Sequence, residues 1–364
     1  MPRTISSSRP LIPSKARVDS ISECEEYTKL LNVAWGVRVD GRRRKNEVIS
    51  NPVSLSQSNI GDLNKGTYMV SHKSDGVRYL LFLFVRSTGS PAALMIDRAN
   101  HMYEVDVIAP EEYFVHQTIL EGELVWRRPD ERAMIFAIFD AVRVKGVLLT
   151  HLPFSKRLQE VRRCVNFSCE LSMLSDVDEI SAKVTETDAI VLMPFDPPVL
   201  MEPKQFVSLE HASSIWKGRS EAKHHSDGLI VQNMDAPYQS GSAKHSIYKW
   251  KPDHTVDLKG GDASNLTTSD GVCAESAFRD QGWEMVVDAS RIVGEQEDIL
   301  EYHIDLKDAA KKIVRLFAMR MRPDKRAANS WYIVNATFHD AIHSISEDDL
   351  SNASPTLPKM VECQ

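Results

Sequence analysis

The chain has 364 residues, 42% of them hydrophobic and 26% charged, and its 44 basic against 51 acidic groups give a net charge of −7. That length predicts two or three domains, and the composition excludes bulk disorder. The longest apolar run, Tyr79–Val85, has seven residues, far short of the roughly 20 that a membrane span needs, while the acidic balance excludes a protein that coats nucleic acid wholesale and leaves room for a local basic cleft.

Residues 1–18, rich in Ser, Arg and Pro and without an apolar stretch, read as a flexible tail and not as a secretory signal. Five scattered cysteines (Cys24, Cys164, Cys169, Cys273, Cys363) form no C-x-x-C pair. They predict neither a disulfide framework nor a zinc site, and a reducing, intracellular setting. Ser20–Trp35 has the spacing of a short helix behind a Ser/Glu start. The basic run Arg42, Arg43, Arg44, Lys45 reads first as a solvated loop. From residue 66 to about 252 the pattern is strand-rich. TYMVSH and VRYLLFLFV flank a short polar turn, KSDG, and ALMID, TILEGELVW, AMIFAIFDAV, DAIVLM, SDGLIVQ and SIYKWKP follow as strands. Ser155–Val165 and Asp176–Thr187 are helix-compatible. This predicts a mixed α+β domain with antiparallel sheets. The polar stretch 257–271 reads as a loop near a domain boundary. Beyond it WEMVVDAS, DILEYHIDL and KIVRLFAMRMR, followed by WYIVNATF, read as short strands and predict a small β-barrel; HDAIHSISEDDL reads as a helix.

Charge placed where a strand should be apolar is the most informative signal. Residues i and i+2 of a strand share a face, so Glu121/Glu123, Lys249/Lys251 and Arg320/Arg322 are same-face pairs, and Arg78 lies just inside a strand. A charge buried alone is costly, so these groups should converge on a wet cleft or on one another. Basic groups suit phosphate oxygens, and paired carboxylates suit a hard divalent cation. Edge-strand ion pairs are the bland alternative for any single pair, but three pairs together point to nucleotide or phosphoryl chemistry. Neither a G-x-x-x-x-G-K-[ST] nor a G-x-G-x-x-G motif is present. Side chains must therefore hold the phosphates, and Lys73, between two strands, is a candidate nucleophile. His224 and His225 lack a third ligand at recognisable spacing.

Lys73-Ser-Asp-Gly-Val-Arg78 resembles the K-x-D-G-x-R motif of covalent nucleotidyltransferases, the mRNA capping guanylyltransferases and ATP-dependent polynucleotide ligases. Further motifs follow in the family's order: Glu121-Gly-Glu123-Leu-Val, Ile138-Phe-Asp140-Ala-Val, Asp227-Gly-Leu-Ile, Lys249-Trp-Lys251-Pro with Thr255-Val-Asp257, and Arg322-Pro-Asp324-Lys325 with Asn329. The F-D-A-V and K-W-K-P…T-V-D forms resemble capping enzymes more than ligases. So do Asn51-Pro-Val-Ser-Leu, Ile96-Asp97-Arg98 and Lys204-x-x-x-x-Leu-Glu-His. The chain departs from the pattern at Glu121, where Asp is usual, at His254, at Ala327 and Ala328, and in the Leu-Glu-Tyr-His strand.

The resemblance spans roughly residues 50–345 and implies an α+β fold: a nucleotidyltransferase domain of antiparallel sheets with flanking helices, plus a C-terminal OB-fold β-barrel. The implied division is a tail and short helix over 1–45, the nucleotidyltransferase domain over 46–255, the OB-fold over 256–345 and a C-terminal helix or tail over 346–364. It implies that Lys73 attacks the α-phosphorus of GTP and passes GMP to the 5′-diphosphate end of RNA, giving a GpppN cap. An amine attacks only when uncharged, so cationic neighbours that favour the neutral form are expected around it. By the same resemblance Arg78, Lys249 and Lys251 neutralise α-phosphate charge. Glu123 and Asp227 contact a divalent metal, Mg²⁺ or Mn²⁺. Arg98 holds ribose or phosphates, Phe139 and Ile230 sandwich the guanine, and Lys204 reads it. Asp257 supports the phosphate end; Arg322, Asp324 and Lys325 close over the β and γ phosphates.

Implied partners are 5′-diphosphate RNA, a separate RNA triphosphatase and cap methyltransferase, and the phosphorylated tail of RNA polymerase II, with no membrane. The implied location is the nucleus, or the cytoplasm for a viral enzyme. The alternatives are an ATP-dependent RNA or DNA ligase using the same lysine, and a non-catalytic RNA-end-binding homologue.

Overall fold

A computed structural model describes residues 12, 16–36, 49–129, 132–171, 174, 176–193, 199–260, 265–288, 297–323 and 325–353. Most of the expected tail over 1–18, the basic run Arg42–Lys45, Asp324 and residues 354–364 lie outside the described residues. The chain divides into two compact units, one of Met1–Ser54, Asp62–Trp250 and Ser351–Gln364, the other of Leu55–Gly61 and Lys251–Leu350.

The first unit carries helix α1 (Ile21–Ala34), strands β1 (Tyr68–Ser74), β2 (Val77–Val85), β3 (Pro91–Asp97), β4 (Thr118–Trp126) and β5 (Met134–Val144), helices α2 (Phe154–Val165) and α3 (Val177–Thr187), and strands β6 (Val199–Pro203), β7 (Ser226–Asn233) and β8 (Ile247–Trp250). Its larger sheet has the central order β5-β4-β2-β3, all antiparallel, and β6 runs parallel to β5. The seven-residue apolar run is explained by its place at the centre of this sheet. Tyr79, Leu81 and Leu83 point into one core with Phe136, Ile138 and the apolar face of α2, while Leu80, Phe82 and Phe84 point into a second core under Tyr27, Leu31 and Ala34 of α1. A strand buried on both faces has no polar alternation to show. Ser20 caps α1 by accepting from the Glu23 amide, and Asp176 caps α3 by accepting from Asp178 and Glu179.

The second sheet of this unit has β1 between Val207–Ser208 and β7, followed by β8 and Val53–Ser54. The segment Lys73–Gly76 therefore differs from the short polar turn expected between the two strands. The ladder with β7 continues through Lys73 and Ser74, so Lys73 lies on β1 itself. Asp75 and Gly76 then carry the chain out of this sheet and into the larger one. A Cβ on Gly76 would lie 2.3 Å from the Leu124 carbonyl oxygen and 2.6 Å from Val125 Cγ1, so this crossing passes too close to β4 for any side chain. DAIVLM contributes only the two-residue strand Val191–Leu192.

The second unit contains β9 (Thr255–Lys259), helix α4 (Ala274–Asp280), β10 (Glu284–Asp288), β11 (Ile299–Asp305), β12 (Ile313–Met321) and helix α5 (Trp331–Ile342). Its sheet runs β9-β11-β12-β10, with β10 parallel to β12 and the other pairs antiparallel. Among the described residues this ladder is open and does not close into a barrel. WYIVNATF, expected as a strand, is the first part of α5. Its β-branched residues mimic a strand, but Val334 and Phe338, four apart, are the fully buried pair, packed with Phe278 and Trp283. HDAIHSISEDDL is likewise two helical pieces. α5 ends at Ile342, and Glu347–Asn352 restarts behind reciprocal hydrogen bonds between Ser346 and Asp349.

Candidate active site

Strand pairing in the first unit decides which expected residues meet. Gly228 is the β7 partner of Lys73, and Ile230 lies opposite both Ser71 of β1 and Lys249 of β8. Lys73, Ile230 and Lys249 thus share one face of the smaller sheet. Trp250 points the other way, 2% exposed, with its ring against Trp216 at a centroid distance of 5.3 Å. At the crossing, Lys73 Nζ donates to Asp227 Oδ1 at 2.7 Å. Lys204 is a cation whose field includes Lys73, Asp227 and Glu123.

Lys204 reaches this place because β6 runs alongside β5 as far as the Pro203–Ile138 pair, and the Lys204 amide then donates to the Ile138 carbonyl at 2.7 Å. Its side chain is almost wholly buried, with Nζ 3.7 Å from Glu123 Oε2 and 5.8 Å from the centre of the Phe139 ring. Burial lowers the pKa of its ammonium, Glu123 opposes that, and Lys73 adds to it. The Arg78 guanidinium stands over the same ring at 5.3 Å. Arg98, exposed just beyond β3, lies in the field of Arg78, Glu123 and Glu121.

Glu121 and Glu123 separate in role despite their shared strand. Arg78 and Glu123 are direct partners across β2 and β4, and Leu80 stands opposite Glu121. Glu121 is completely buried, accepting from Arg78 Nη2 at 2.7 Å and from the Tyr238 hydroxyl at 2.8 Å. Tyr238 in turn accepts from the Ser50 amide at 3.1 Å, and Arg78 Nη1 donates to the Ser50 carbonyl at 2.6 Å. The result is a closed ring of hydrogen bonds through four chain segments. Burial pushes the Glu121 carboxyl up, while Arg78 and Tyr238 pull it down. Behind the ring Arg157 grips Asp140 with two bonds of 2.8 and 3.0 Å, donates to the Leu152 and Ala236 carbonyls, and lies over the Tyr238 ring at 5.5 Å.

Ser50, Tyr238 and Arg157 were not among the residues expected from the sequence. Asp140 carried the same signal as Glu121, a charge within an apolar strand, and Arg157 carried its helical counterpart, a charge on the buried face of α2. Tyr238, in a loop 117 residues from Glu121, carried none.

The second unit holds its own charged group. Lys251 lies one residue beyond the end of β8, so the expected same-face strand pair with Lys249 is cut short. Asp257, on β9, accepts from Arg322 Nη1 at 2.8 Å and lies 3.5 Å from Lys325 Nζ. Glu301 accepts from Arg320 Nε at 2.6 Å and lies 3.6 Å from Arg322. Arg322 lies one residue beyond the end of β12, so the expected same-face strand pair with Arg320 is cut short as well, yet both arginines converge on carboxylates, as the cost of a lone buried charge favours. Asn329 brackets Asp257 through the backbone: its side-chain oxygen accepts the Asp257 amide and its own amide donates to the Asp257 carbonyl. Asp324 lies outside the described residues.

Among the described residues no three or more His, Cys, Asp or Glu side chains gather as a metal-ligand set. Glu123 and Asp227 are hard oxygen donors near one site, which fits a cation such as Mg²⁺ that takes one or two carboxylates and completes its shell with water and substrate phosphate. They fit zinc poorly.

The sequence matches the family described as mRNA capping enzyme, catalytic domain, over residues 44–253. It is 26% identical over 346 residues to the mRNA-capping enzyme subunit alpha of Schizosaccharomyces pombe, covering 85% of this chain and 80% of that one. It is 28% identical over 244 residues to the subunit of the same name in Saccharomyces cerevisiae, covering 58% of this chain and 47% of that one. Among solved structures, a mycobacterial DNA ligase D complexed with ATP and MES aligns with a TM-score of 0.41 and 14% identity, over 78% of this chain and 97% of that one.

Proposed function

Because the chain belongs to the mRNA capping enzyme catalytic-domain family, a family of nucleotidyltransferases, we propose that it is a guanylyltransferase working through Lys73. The Lys73 nitrogen attacks the α-phosphorus of GTP, the bond to the bridging oxygen breaks, and pyrophosphate leaves with that electron pair. GMP remains on the lysine as a phosphoramidate. A terminal oxygen of 5′-diphosphate RNA then attacks the same phosphorus, the P–N bond breaks, and the lysine regains its amine as the GpppN cap departs. Splitting the transfer lets one site serve two substrates in turn.

The observation that carries this reading is the placement of Lys73 Nζ 2.7 Å from Asp227, beside Lys204 and Glu123. Asp227 orients the nucleophile and is a near acceptor for the proton that it must give up. With Glu123 it also offers the donor set for Mg²⁺ or Mn²⁺, and the chemistry supplied by such a cation is neutralisation of phosphate charge and of Asp227. Phe139 offers a ring face for guanine, with Ile230 opposite in role. Lys204, buried and poorly solvated, reads the base, since a desolvated donor discriminates strongly against a base that lacks the matching acceptor. Arg98 takes the ribose or phosphates, and Arg78, Lys249 and Lys251 neutralise the developing charge.

The second unit we assign as an OB-fold domain over 256–345, joined to a nucleotidyltransferase domain over 46–255. Its Arg322, Asp324 and Lys325 close over the β and γ phosphates with Asp257 in support. The proposed partners are an RNA triphosphatase that makes the diphosphate acceptor, a methyltransferase that completes the cap, and the phosphorylated polymerase tail; the proposed setting is the nucleus, or the cytoplasm for a viral enzyme.

The test is incubation of the protein with α-labelled GTP or ATP and a divalent cation. Label from GTP, held in an acid-labile bond on Lys73 and lost in Lys73→Ala, is the expected result. Label from ATP alone, or retained in Lys73→Ala, would overturn the reading.

A further inference from the structure

A cationic surface leaves the candidate active site along two strands. β4, which carries Glu123, runs on into Arg127 and Arg128, and β7, which carries Asp227, is entered through Lys223, His224 and His225. Lys223 and Arg127 each lie four residues from those carboxylates, about 13 Å along an extended chain. The two segments are laced together. The Arg128 amide donates to the Lys223 carbonyl at 2.6 Å, and Arg128 Nη1 reaches the Arg219 carbonyl at 3.4 Å. The His225 carbonyl accepts from the Asp75 amide at 3.0 Å, so the surface abuts the crossing that carries Lys73.

Arg219 is held in place. Its guanidinium lies 4.0 Å from the centre of the Trp216 ring, and Nη1 donates to the Trp216 carbonyl at 2.8 Å. A stacked, pre-oriented guanidinium gives up little rotamer freedom when it meets a phosphate, and its planar fork suits that partner. Lys223 is paired with Glu202 at 2.8 Å. The half-buried His72 and His224 stand alongside, both held below the ordinary histidine pKa chiefly by burial; Lys204 and Arg219 add to this at His72, and at His224 the backbone bond with His225 opposes it while Lys204 adds to it.

We propose that this edge receives the sugar-phosphate chain of the acceptor RNA behind its 5′ end, with phosphates on Arg128, Arg219 and Lys223. The proposal rests on the guanylyltransferase reading for the identity of the acceptor. Lys223 precedes by four residues the Asp227 that holds the reacting lysine, and Arg128 is bonded to Lys223 and Arg219 in turn. These cations match the next charges along a chain whose first phosphates occupy the site. A protein of net charge −7 binds a polyanion only where its cations are gathered, and this edge gathers them.

The two half-reactions make the test clean. Arg219→Glu and Arg219→Glu/Lys223→Glu should form the GMP adduct from GTP at the wild-type rate. They should pass GMP to a long 5′-diphosphate RNA only at several-fold higher RNA concentration, while transfer to a diphosphate dinucleotide is unchanged. The salt dependence of RNA binding by the free protein, read by fluorescence anisotropy, should flatten by about 0.7 in the log–log slope for each phosphate that a variant no longer neutralises, and Arg219→Lys should restore most of it. Unchanged transfer and an unchanged salt slope would overturn the proposal. So would variants that lose affinity for a serine-phosphorylated polymerase-tail peptide but not for RNA. If the wild-type protein forms no adduct with GTP, the Lys73 reading fails by itself, and the anisotropy measurement still decides the RNA surface.

Discussion

Tyr238 shows how much can depend on one hydroxyl. It donates to Glu121 and accepts from Ser50, and so closes the ring that fixes Arg78 over Phe139. Tyr238→Phe keeps the aromatic surface and removes both bonds. A fully buried carboxylate left one donor short costs about 1–3 kcal/mol, so the urea midpoint should fall by that equivalent with an unchanged m-value. Glu121→Gln keeps the shape and the Tyr238 bond but removes the buried charge to which Arg78 is hydrogen-bonded. The residues of this ring were unequally legible. Arg78 and Glu121 declare themselves as charges inside apolar strands, because burying an ion demands a partner. Tyr238 belongs to a loop and Ser50 to the two-residue strand Ser50–Asn51, and their hydrogen bonds form only once distant segments have paired.

The crossing at Asp75–Gly76 is the element on which the site depends. Lys73 and Arg78 are five residues apart in sequence but belong to different sheets, and the residue between them that touches β4 has no side chain. Gly76→Ala places a methyl 2.3 Å from a backbone oxygen that cannot move without displacing β4. Overpacking of this kind costs about 1–3 kcal/mol or more, and adduct formation should fall further than stability because the shift is delivered beside Lys73, the proposed nucleophile. Circular dichroism with GTP labelling on one preparation checks both. Most elements were readable from alternation and turn residues: β4 matches TILEGELVW residue for residue, and α1 follows its Ser start. WYIVNATF was not, because a helix with two buried positions and many β-branched residues has nearly the composition of a strand. The sheet crossing was not either, since a polar K-S-D-G joining two strands looks the same whether the strands pair with each other or with others.

At the scale of the whole molecule, stability should depend on acidity through groups buried in the uncharged state. His224 is held at about 4 against an ordinary 6.5, and His72 is also lowered. The unfolded chain takes up these protons near the ordinary value while the folded chain resists until well below it. Stability is therefore complete above the ordinary value and declines as pH falls toward the folded one. Urea midpoints at about pH 7.5 and about pH 5 should show the drop before most carboxylates titrate, and His224→Gln should show a smaller one. A different consequence follows from the chain passing between two layers just after Lys73. On the proposed reading the nucleotide's phosphates meet a lysine rooted in one layer and an arginine rooted in the other, so a bound guanylate would act as a rivet. Slip between the layers registers at the reacting phosphorus before anywhere else, and the protein should be mechanically quietest while it carries its cargo.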